Sequence, residues 1–321
     1  MTPSGADTEL RIALMLPCLD EELTLAKVIR DFRSAIPNLE VYVFDNGSTD
    51  RSVDIAHAEK VTVVKVSQRG KGNVVQKMFE LVEADVYIMA DSDDTYDASA
   101  AMTLIQPIVD GDADMVVATR LSDYSIRAFR KFHHIGNQLI LGLINLIFEG
   151  NLSDACSGYR VMSDYFVRNI PLLRGGFEVE TELTVYSLMN GFTIKEIPVP
   201  YRNRPKNSFS KLNTYRDGYK ILKTIARLGC ELKPFPFLSI PSVFCFVAAV
   251  LLSVIEEPQA AFFSNFLSLL SVSLLASGLV LNALTAKLSE LQVLDRRRAQ
   301  QKRVCSLPQK RKKSGPMSLA S

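Results

Sequence analysis

The chain has 321 residues, of which 47% are hydrophobic, and its formal net charge is +2. This balance excludes the strongly basic class of nucleic-acid-binding proteins, so we expect no nucleic-acid partner. The five cysteines are widely separated and show no CxxC spacing, which indicates neither a zinc site nor a disulfide framework. A reducing, cytoplasmic compartment fits this cysteine usage.

Strand and helix patterns alternate along the first third of the chain. Residues 1–9 are polar, lack the apolar segment of a signal peptide and are expected to be disordered. Strands are predicted at 11–16, 40–44, 61–66, 86–90 and 114–119, and helices at 21–35, 50–59, 72–83 and 98–109. The alternation predicts an α/β domain over 10–230, with a mostly parallel sheet and helices on both of its faces.

Unusual polar segments follow the first four predicted strands. In parallel sheets, ligands bind beyond the carboxyl ends of the strands, so these segments should meet at one edge. They are 17–22, 45–50, 68–72 and 91–94, and they hold carboxylates, glycines and a lysine. Their composition predicts a site for a metal-bound, phosphorylated ligand.

Asp91 and Asp93 directly follow an apolar strand. Two carboxylates at this spacing can bind one hard divalent cation, Mg²⁺ or Mn²⁺, that shares its coordination with phosphate oxygens. Such a metal neutralises charge on a diphosphate leaving group. The neighbouring Asp94 and Asp97 are also candidates for helix caps, since Asp97 precedes the predicted helix start at Ala98.

Two further segments have a structural and a functional interpretation. The segment that contains Gly47 and Ser48 is either an Asx turn capped by Asp50 or Ser48, or a nucleotide-binding loop. Its position beside the paired aspartates favours the loop. Segment 69–72 is either a turn or a phosphate cradle, in which glycines allow close backbone approach and Lys71 supplies charge.

Segments 16–22, 44–50, 69–73 and 90–97, in this order, resemble the inverting family 2 glycosyltransferases, which have a Rossmann-like GT-A fold. The later part of the domain resembles their polyprenyl-phosphate branch, which includes dolichyl-phosphate mannose and glucose synthases. The resemblance covers about 10–230. It implies that a hexose moves with inversion from a UDP- or GDP-linked sugar to a polyprenyl phosphate, such as dolichyl or undecaprenyl phosphate.

The resemblance assigns roles on the donor side. Pro17 and Glu21 would line the base and ribose pocket, Asp45 would contact the base, and Asp91 and Asp93 would hold the metal and diphosphate. Two residues of a loop that closes over the donor phosphates would be Arg204 and Lys211, although a solvated surface loop is the alternative. The donor-binding residues thus predicted are Pro17, Glu21, Asp45, Gly47, Ser48, Lys71, Asp91 and Lys211.

The resemblance also places an acceptor phosphate beside the end of the fifth strand. Arg120 and Arg130 would grip the lipid phosphate, with Lys131 next to them. His134 stands where the family often carries a serine, and it is either a phosphate ligand or an interfacial histidine with structural partners.

An acidic residue of the family's active-site floor matches Asp154, with Arg160 as its expected structural partner. Glu178 and Glu180 match positions on a helix under the site, where a carboxylate pair at a helix N-terminus is the alternative. The catalytic residues predicted are Asp93, Asp154 and Arg204.

Long uncharged segments occupy the C-terminal third. Segments 235–255 and 259–286 are each long enough to span a hydrocarbon core of about 30 Å, and they predict two transmembrane helices joined by a short acidic turn. A buried hairpin of a soluble protein is the alternative. Basic residues flank both helices, and residues 287–321 form a basic tail, so the positive-inside rule predicts a multi-pass membrane protein with a cytoplasmic catalytic domain, in the plasma or inner membrane if bacterial.

Two helical segments before the hairpin, 137–148 and 215–228, are either core-facing helices or helices at the membrane interface that guide a polyprenol tail. The expected partners are therefore a nucleotide sugar, a polyprenyl phosphate and the membrane, and a homo-oligomer is compatible with the sequence. The alternatives are a polysaccharide or other glycolipid acceptor, or a catalytically silent nucleotide-binding scaffold. Processive synthases of similar fold carry a QxxRW motif, and this chain has no tryptophan.

Overall fold

A computed structural model describes residues 10–121, 128–171, 178–202, 204–205, 214–255 and 257–306. Within these ranges, the side chains of 121, 128–135, 214–215 and 292–306 lie outside the description. Arg130, Lys131, His134 and Lys211 fall on these undescribed parts, so their predicted roles stay predictions.

A seven-stranded sheet forms the centre of the domain, in the order β3-β2-β1-β4-β6-β5-β7. Its strands are β1 (Ile12–Cys18), β2 (Glu40–Asp45), β3 (Thr62–Lys65), β4 (Val86–Met89), β5 (Met115–Leu121), β6 (Arg160–Ser163) and β7 (Ile194–Pro200). All neighbouring pairs are parallel except those of β6, which runs antiparallel to β4 and β5. The predicted α/β, mostly parallel GT-A-like architecture is confirmed.

Helices cover both faces of this sheet. They are α1 (Leu25–Ala35), α2 (Ser52–Ala58), α3 (Lys71–Leu81), α4 (Ala101–Val109), α5 (Ala128–Phe148), α6 (Asp164–Asn169), α7 (Val179–Met189) and α8 (Thr214–Leu232), with a short 3₁₀ turn at Ala98–Ala100. Alternation along β1 divides the core, since Ala13 and Met15 belong to one buried cluster and Leu14 and Leu16 to the other. The result is a three-layer α/β/α domain.

The sequence did not predict β6 and β7. β6 has only four residues, and β7 contains Pro198 and Pro200, which weaken a strand pattern because proline has no amide hydrogen to donate. β7 lies at the edge of the sheet, where proline is tolerated. Helix α1 begins at Leu25 instead of residue 21, which leaves the backbone of Glu21 outside the helix.

Two long apolar helices, α9 (Pro234–Ser253) and α10 (Pro258–Ser306), form an antiparallel hairpin. The Ser242 hydroxyl donates to the Ser271 carbonyl at 2.8 Å, and the Ser264 hydroxyl donates to the Ala249 carbonyl at 2.8 Å. By length and composition, both helices can cross a membrane. α10 continues well past residue 286, because the following twenty residues contain neither glycine nor proline.

Helix α8 connects the domain to this hairpin. Ile225 and Leu228 are buried in the domain core, while Tyr219 on the opposite side is 68% exposed. The backbone of Gly229 lies so close to the Phe237 ring that a β-carbon at this position would be 2.2 Å from it. The start of the hairpin is thus seated directly on the last turns of α8.

Candidate active site

The four polar segments meet at the carboxyl edge of the parallel strands, as predicted from the sequence. The Glu22 amide donates to Oδ2 of Asp50 at 3.0 Å, which joins the first segment to the second. Oγ of Ser92 donates to the Pro17 carbonyl at 2.7 Å, which joins the first to the fourth. The Gly70 amide donates to Oδ1 of Asn46 at 2.8 Å, which joins the second to the third.

The segment after β2 forms an Asx turn. Oδ1 of Asp45 accepts from the Ser48 amide at 2.9 Å, and Oδ1 of Asp50 accepts from the Ser52 amide at 2.9 Å at the start of α2. Gly47 has a φ of +85°, which favours glycine. A β-carbon at position 47 would lie 3.1 Å from Cζ of the Arg69 guanidinium. The turn is therefore fixed by its own hydrogen bonds and by a glycine in the left-handed region.

Asp91 and Asp93 each have a cationic partner. Oδ1 of Asp91 is 2.6 Å from Nζ of Lys71, and Oδ2 of Asp93 is 2.5 Å from Nη2 of Arg204. Asp93 is only 3% exposed, and its other oxygen accepts from the Thr95 amide at 3.1 Å. Burial and the neighbouring Asp91 charge raise the pKa of the Asp93 carboxyl above its usual range.

Lys71 is shared between two carboxylates. Its Nζ also lies 2.5 Å from Oε1 of Glu180, which is in the first turn of α7. Burial alone would lower the pKa of Lys71, but the charges of Asp91 and Glu180 outweigh it and raise the pKa above its usual range. Glu180 is thus part of the site as well as an acidic residue at a helix N-terminus.

The donor set at Asp91 and Asp93 suits a hard cation. Among the residues with described side chains, no group of three or more histidine, cysteine or acidic side chains could hold a metal by itself. Mg²⁺ and Mn²⁺ do not require such a group when one or two carboxylates are completed by substrate phosphates. Because both carboxylates already have cationic partners, the arrangement fits a metal that arrives with a diphosphate.

Gly158 permits the close approach of Asp91, a relationship that the sequence analysis missed. A β-carbon at 158 would lie 2.4 Å from Oδ2 of Asp91. The Gly158 amide donates to the Tyr96 hydroxyl at 2.9 Å, so the chain cannot easily move away. The sequence carries no local signal for this role, because Asp91 and Gly158 are distant along the chain.

Arg120 and Asp154 form a two-pronged ion pair beside the paired aspartates. Nε and Nη2 of Arg120 donate to the two carboxylate oxygens at 2.8 and 2.9 Å. Burial would lower the pKa of Arg120, but the hydrogen bond and charge of Asp154 together with the neighbouring tyrosines outweigh it, and the pKa is raised. The expected pairing of Asp154 with Arg160 is not what the structure shows. Arg160 is fully buried and donates to the carbonyls of Ser157, Ala155 and Glu180.

Tyr201 lies between these two parts of the site, and the sequence analysis also missed it. The Arg120 guanidinium sits 5.7 Å from the centre of the Tyr201 ring. The Tyr201 ring also packs edge-on against Tyr96, with ring centroids 5.3 Å apart, and the two residues form an antiparallel backbone bridge. Tyr201 therefore packs against Arg120 and against the segment that follows the paired aspartates.

The chain after β7 is fastened to the Asp91–Asp97 segment. The Arg202 amide donates to the Thr95 carbonyl at 2.8 Å, and Nη2 of Arg202 lies 2.9 Å from Oδ2 of Asp97. Asp97 also accepts from the Ser99 amide, so the predicted cap is present. The other cap candidate, Asp94, pairs instead with Lys27 at 2.7 Å. The contacts of Arg202 thus fix the chain two residues before Arg204, which pairs with Asp93.

The chain is similar in sequence to known glycosyltransferases. Residues 14–170 match the model of the family described as Glycosyl transferase family 2. The chain is 31% identical to glycosyltransferase AglJ of Haloferax volcanii, over 64% of this chain and 68% of the relative. It is 24% identical to a dolichyl-phosphate hexose transferase of the same organism, over 68% of this chain and 94% of the relative.

A solved structure shares the fold. Glucosyl-3-phosphoglycerate synthase from Mycobacterium tuberculosis, in complex with Mn²⁺, uridine diphosphate and phosphoglyceric acid, superposes with a TM-score of 0.57 at 20% identity. The match covers 68% of this chain and 78% of that chain. At this identity the similarity supports the architecture alone.

Proposed function

The chain belongs to glycosyl transferase family 2, and we propose that it is an inverting hexosyltransferase that moves a hexose from a nucleotide diphosphate sugar to a polyprenyl phosphate. The observation that carries this proposal is the pairing of Asp91 with Lys71 and of Asp93 with Arg204 at one edge of the sheet. Such pairs suit a metal-bound diphosphate, because the carboxylates can turn to the metal and the cations to phosphate oxygens.

On the donor side, the nucleotide would lie along the first two loops. Glu21 and Asp45 are 8% and 5% exposed, so their carboxylates line the inner wall of these loops. Lys71 and Arg204 would bind the diphosphate and stabilise the charge that it gains on leaving. A divalent cation bound at Asp91 and Asp93 would neutralise part of the same charge. Mg²⁺ and Mn²⁺ both suit these oxygen ligands, and the donor is a UDP- or GDP-linked sugar.

On the acceptor side, Arg120 would bind the lipid phosphate. Nε and Nη2 of Arg120 are engaged by Asp154, and Nη1 lies outside that pair. A phosphate oxygen attacks the anomeric carbon and forms the new bond, while the bond from that carbon to the nucleoside diphosphate oxygen breaks and its electrons leave with the diphosphate. Because the phosphate is already anionic, no strong general base is needed. Asp154 then contributes by orienting Arg120.

The lipid nature of the acceptor is supported by the two apolar helices and by the named activity of the dolichyl-phosphate hexose transferase that the chain resembles. Helix α5 buries Ile144 in the core but leaves Leu139 and Leu146 54% and 79% exposed. This apolar face suits a membrane interface along which a polyprenol tail could lie. The basic flanks of the hairpin support a cytoplasmic catalytic domain.

A transfer assay tests the proposal directly. Protein in detergent would be given labelled UDP- and GDP-hexoses with polyprenyl phosphate, and product mass would identify the sugar and the lipid. Asp93→Ala should abolish transfer. Asp31→Ala, which removes an exposed carboxylate paired with Lys27, is the matched control and should retain it. Undiminished transfer by Asp93→Ala would refute the metal assignment, and a wild-type protein that glycosylates only other acceptors would refute the lipid acceptor.

A further inference from the structure

Glu196 on β7 binds the turn that carries Asp154. Both oxygens of its carboxylate accept from the Ser153 amide, at 3.0 and 2.8 Å. The Ser153 hydroxyl donates to Glu196 at 2.9 Å, and the Asp154 amide donates to it at 2.9 Å. Three donors from two consecutive residues therefore converge on one carboxylate, and hydrogen bonds to a charged acceptor are stronger than neutral ones.

The same turn holds the carboxylate of Asp154 in a fixed direction. Oδ1 of Asp154 accepts from the Cys156 amide at 3.0 Å as well as from Nη2 of Arg120. Oδ2 accepts from Nε of Arg120 at 2.8 Å. Asp154 thus orients the Arg120 guanidinium, and the Glu196 carboxylate in turn holds the backbone of Asp154.

The sheet fixes the positions of Arg120 and Glu196, the two residues that contact this turn. β5 carries Arg120 and pairs in parallel with β7, so that Val117 is opposite Glu196 and Arg120 is opposite Val199. Two residues of the sheet bind the turn at Ser153 and Asp154: Arg120 on β5 contacts the Asp154 carboxylate, and Glu196 on β7 accepts from the backbone amides of both residues. Glu196 is therefore the strand residue that holds the backbone of this turn.

We propose that Glu196 is a positioning residue for the acceptor: it holds the turn at Ser153 and Asp154 so that Asp154 keeps the Arg120 guanidinium aimed at the acceptor phosphate. The inference rests on the proposed function, in which Arg120 binds that phosphate. Without Glu196, the Ser153 and Asp154 amides lose their charged acceptor, the turn loosens and Arg120 samples more orientations. Small misplacements of a binding group reduce rates strongly.

The test uses the full chain in detergent with farnesyl phosphate as the acceptor probe. Glu196→Ala should raise the KM for farnesyl phosphate roughly tenfold or more while the KM for the nucleotide sugar stays unchanged. Glu196→Gln, which retains one acceptor oxygen, should lie in between. Lys195→Gln on the same strand removes only an exposed pair with Asp112 and should match wild type.

Two further measurements separate positioning from a general structural role. In an Arg120→Ala background, Glu196→Ala should cause little additional loss of acceptor binding, because Glu196 acts through Arg120. Hydrogen exchange at the Ser153 and Asp154 amides should be faster in Glu196→Ala and unchanged in Lys195→Gln.

Fully additive losses, or unchanged exchange, would overturn the inference while leaving the proposed function intact. An unaffected KM for farnesyl phosphate in Glu196→Ala would do the same. A wild-type protein that neither binds nor glycosylates farnesyl phosphate would instead overturn the proposed acceptor, and the inference with it.

Discussion

Arg204 reaches back from the chain after β7 and places Nη2 2.5 Å from Oδ2 of Asp93, with Nη1 3.9 Å from Oε1 of Glu21. This arginine therefore balances the charge of a carboxylate that is also suited to a metal. Removal of this arginine should affect metal binding and turnover in opposite directions.

We expect Arg204→Met to lower transfer about 100-fold, because the leaving diphosphate loses a cationic partner. In the same variant without nucleotide, Mn²⁺ should bind more tightly than in wild type, because the cation no longer competes with Arg204 for Asp93. Electron paramagnetic resonance of free Mn²⁺ measures the affinity, and the transfer assay measures turnover. Equal or weaker Mn²⁺ binding by the variant would show that Arg204 does not compete for the carboxylate.

Gly158→Ala should damage donor binding without unfolding the domain. The added β-carbon would be 2.4 Å from Oδ2 of Asp91, so the carboxylate must turn away from its present position. We expect transfer to fall by about tenfold or more, with a weaker affinity for the nucleotide diphosphate. Gly142→Ala in α5 is the control, because no heavy atom lies within 4 Å of a β-carbon there. Isothermal titration with UDP or GDP would show the difference, and equal affinities for the two variants would contradict the role of Gly158.

The sequence predicted the meeting of the segments after β1 to β4 better than the contacts of Arg120. Asp91, Lys71 and the turn at Asp45 each follow a strand, and strand ends in a parallel sheet converge whatever the details of packing. Arg120 and Asp154 are 34 positions apart in the sequence. The strand that follows Asp154, β6, pairs antiparallel with the strand of Arg120, and the sequence did not predict it. No local pattern encodes such a contact.

The same limit explains why Glu196 and Gly158 were missed. Glu196 lies on a strand that its prolines concealed, and its role depends on a turn elsewhere in the chain. The requirement for glycine at 158 comes from the close approach of the Asp91 carboxylate. The two residues are distant in sequence, so this contact is visible only in three dimensions. The hairpin, in contrast, was predicted because long apolar segments need no tertiary information.

Lys71→Met should destabilise the protein, and a second substitution should restore part of the loss. The single variant leaves the carboxylates of Asp91 and Glu180 close together in a largely buried place without their shared cation. Removal of one partner from such a group costs about 3 kcal/mol. Lys71→Met combined with Glu180→Gln removes one uncompensated charge and should unfold at a higher temperature than Lys71→Met alone. Thermal unfolding followed by circular dichroism measures this, and additive losses would contradict the shared pairing.

Asp97 should contribute stability that depends on pH. Burial would raise the pKa of its carboxyl, but hydrogen bonds from Ser99 and the Arg202 charge outweigh it and hold the pKa below its usual value. A lowered pKa means that the ionised form stabilises the fold above the unfolded pKa of about 4, and that this stability is lost as the pH falls through the folded pKa. Asp97→Asn keeps a capping oxygen and removes the charge.

The variant should therefore melt at a lower temperature than wild type at neutral pH, and the two melting temperatures should converge in strongly acidic buffer. Thermal unfolding in detergent at several pH values provides the comparison. A difference in melting temperature that persists unchanged into acid would show that the charge of Asp97 is not its source.

Gly229→Ala should weaken the seating of the hairpin on the catalytic domain. A β-carbon at 229 would lie 2.2 Å from the Phe237 ring, so α8 and the start of α9 must separate or the ring must move. In proteoliposomes, we expect transfer to membrane-embedded polyprenyl phosphate to fall severalfold, while nucleotide affinity stays normal because the contact joins α8 to α9 and involves none of the segments after β1 to β4. Gly218→Ala on the same helix, with no heavy atom within 4 Å of the added carbon, is the matched control. Phe237→Ala in the Gly229→Ala background should restore part of the transfer by removing the ring. If this second substitution gives no recovery, the loss does not arise from the contact between Gly229 and Phe237.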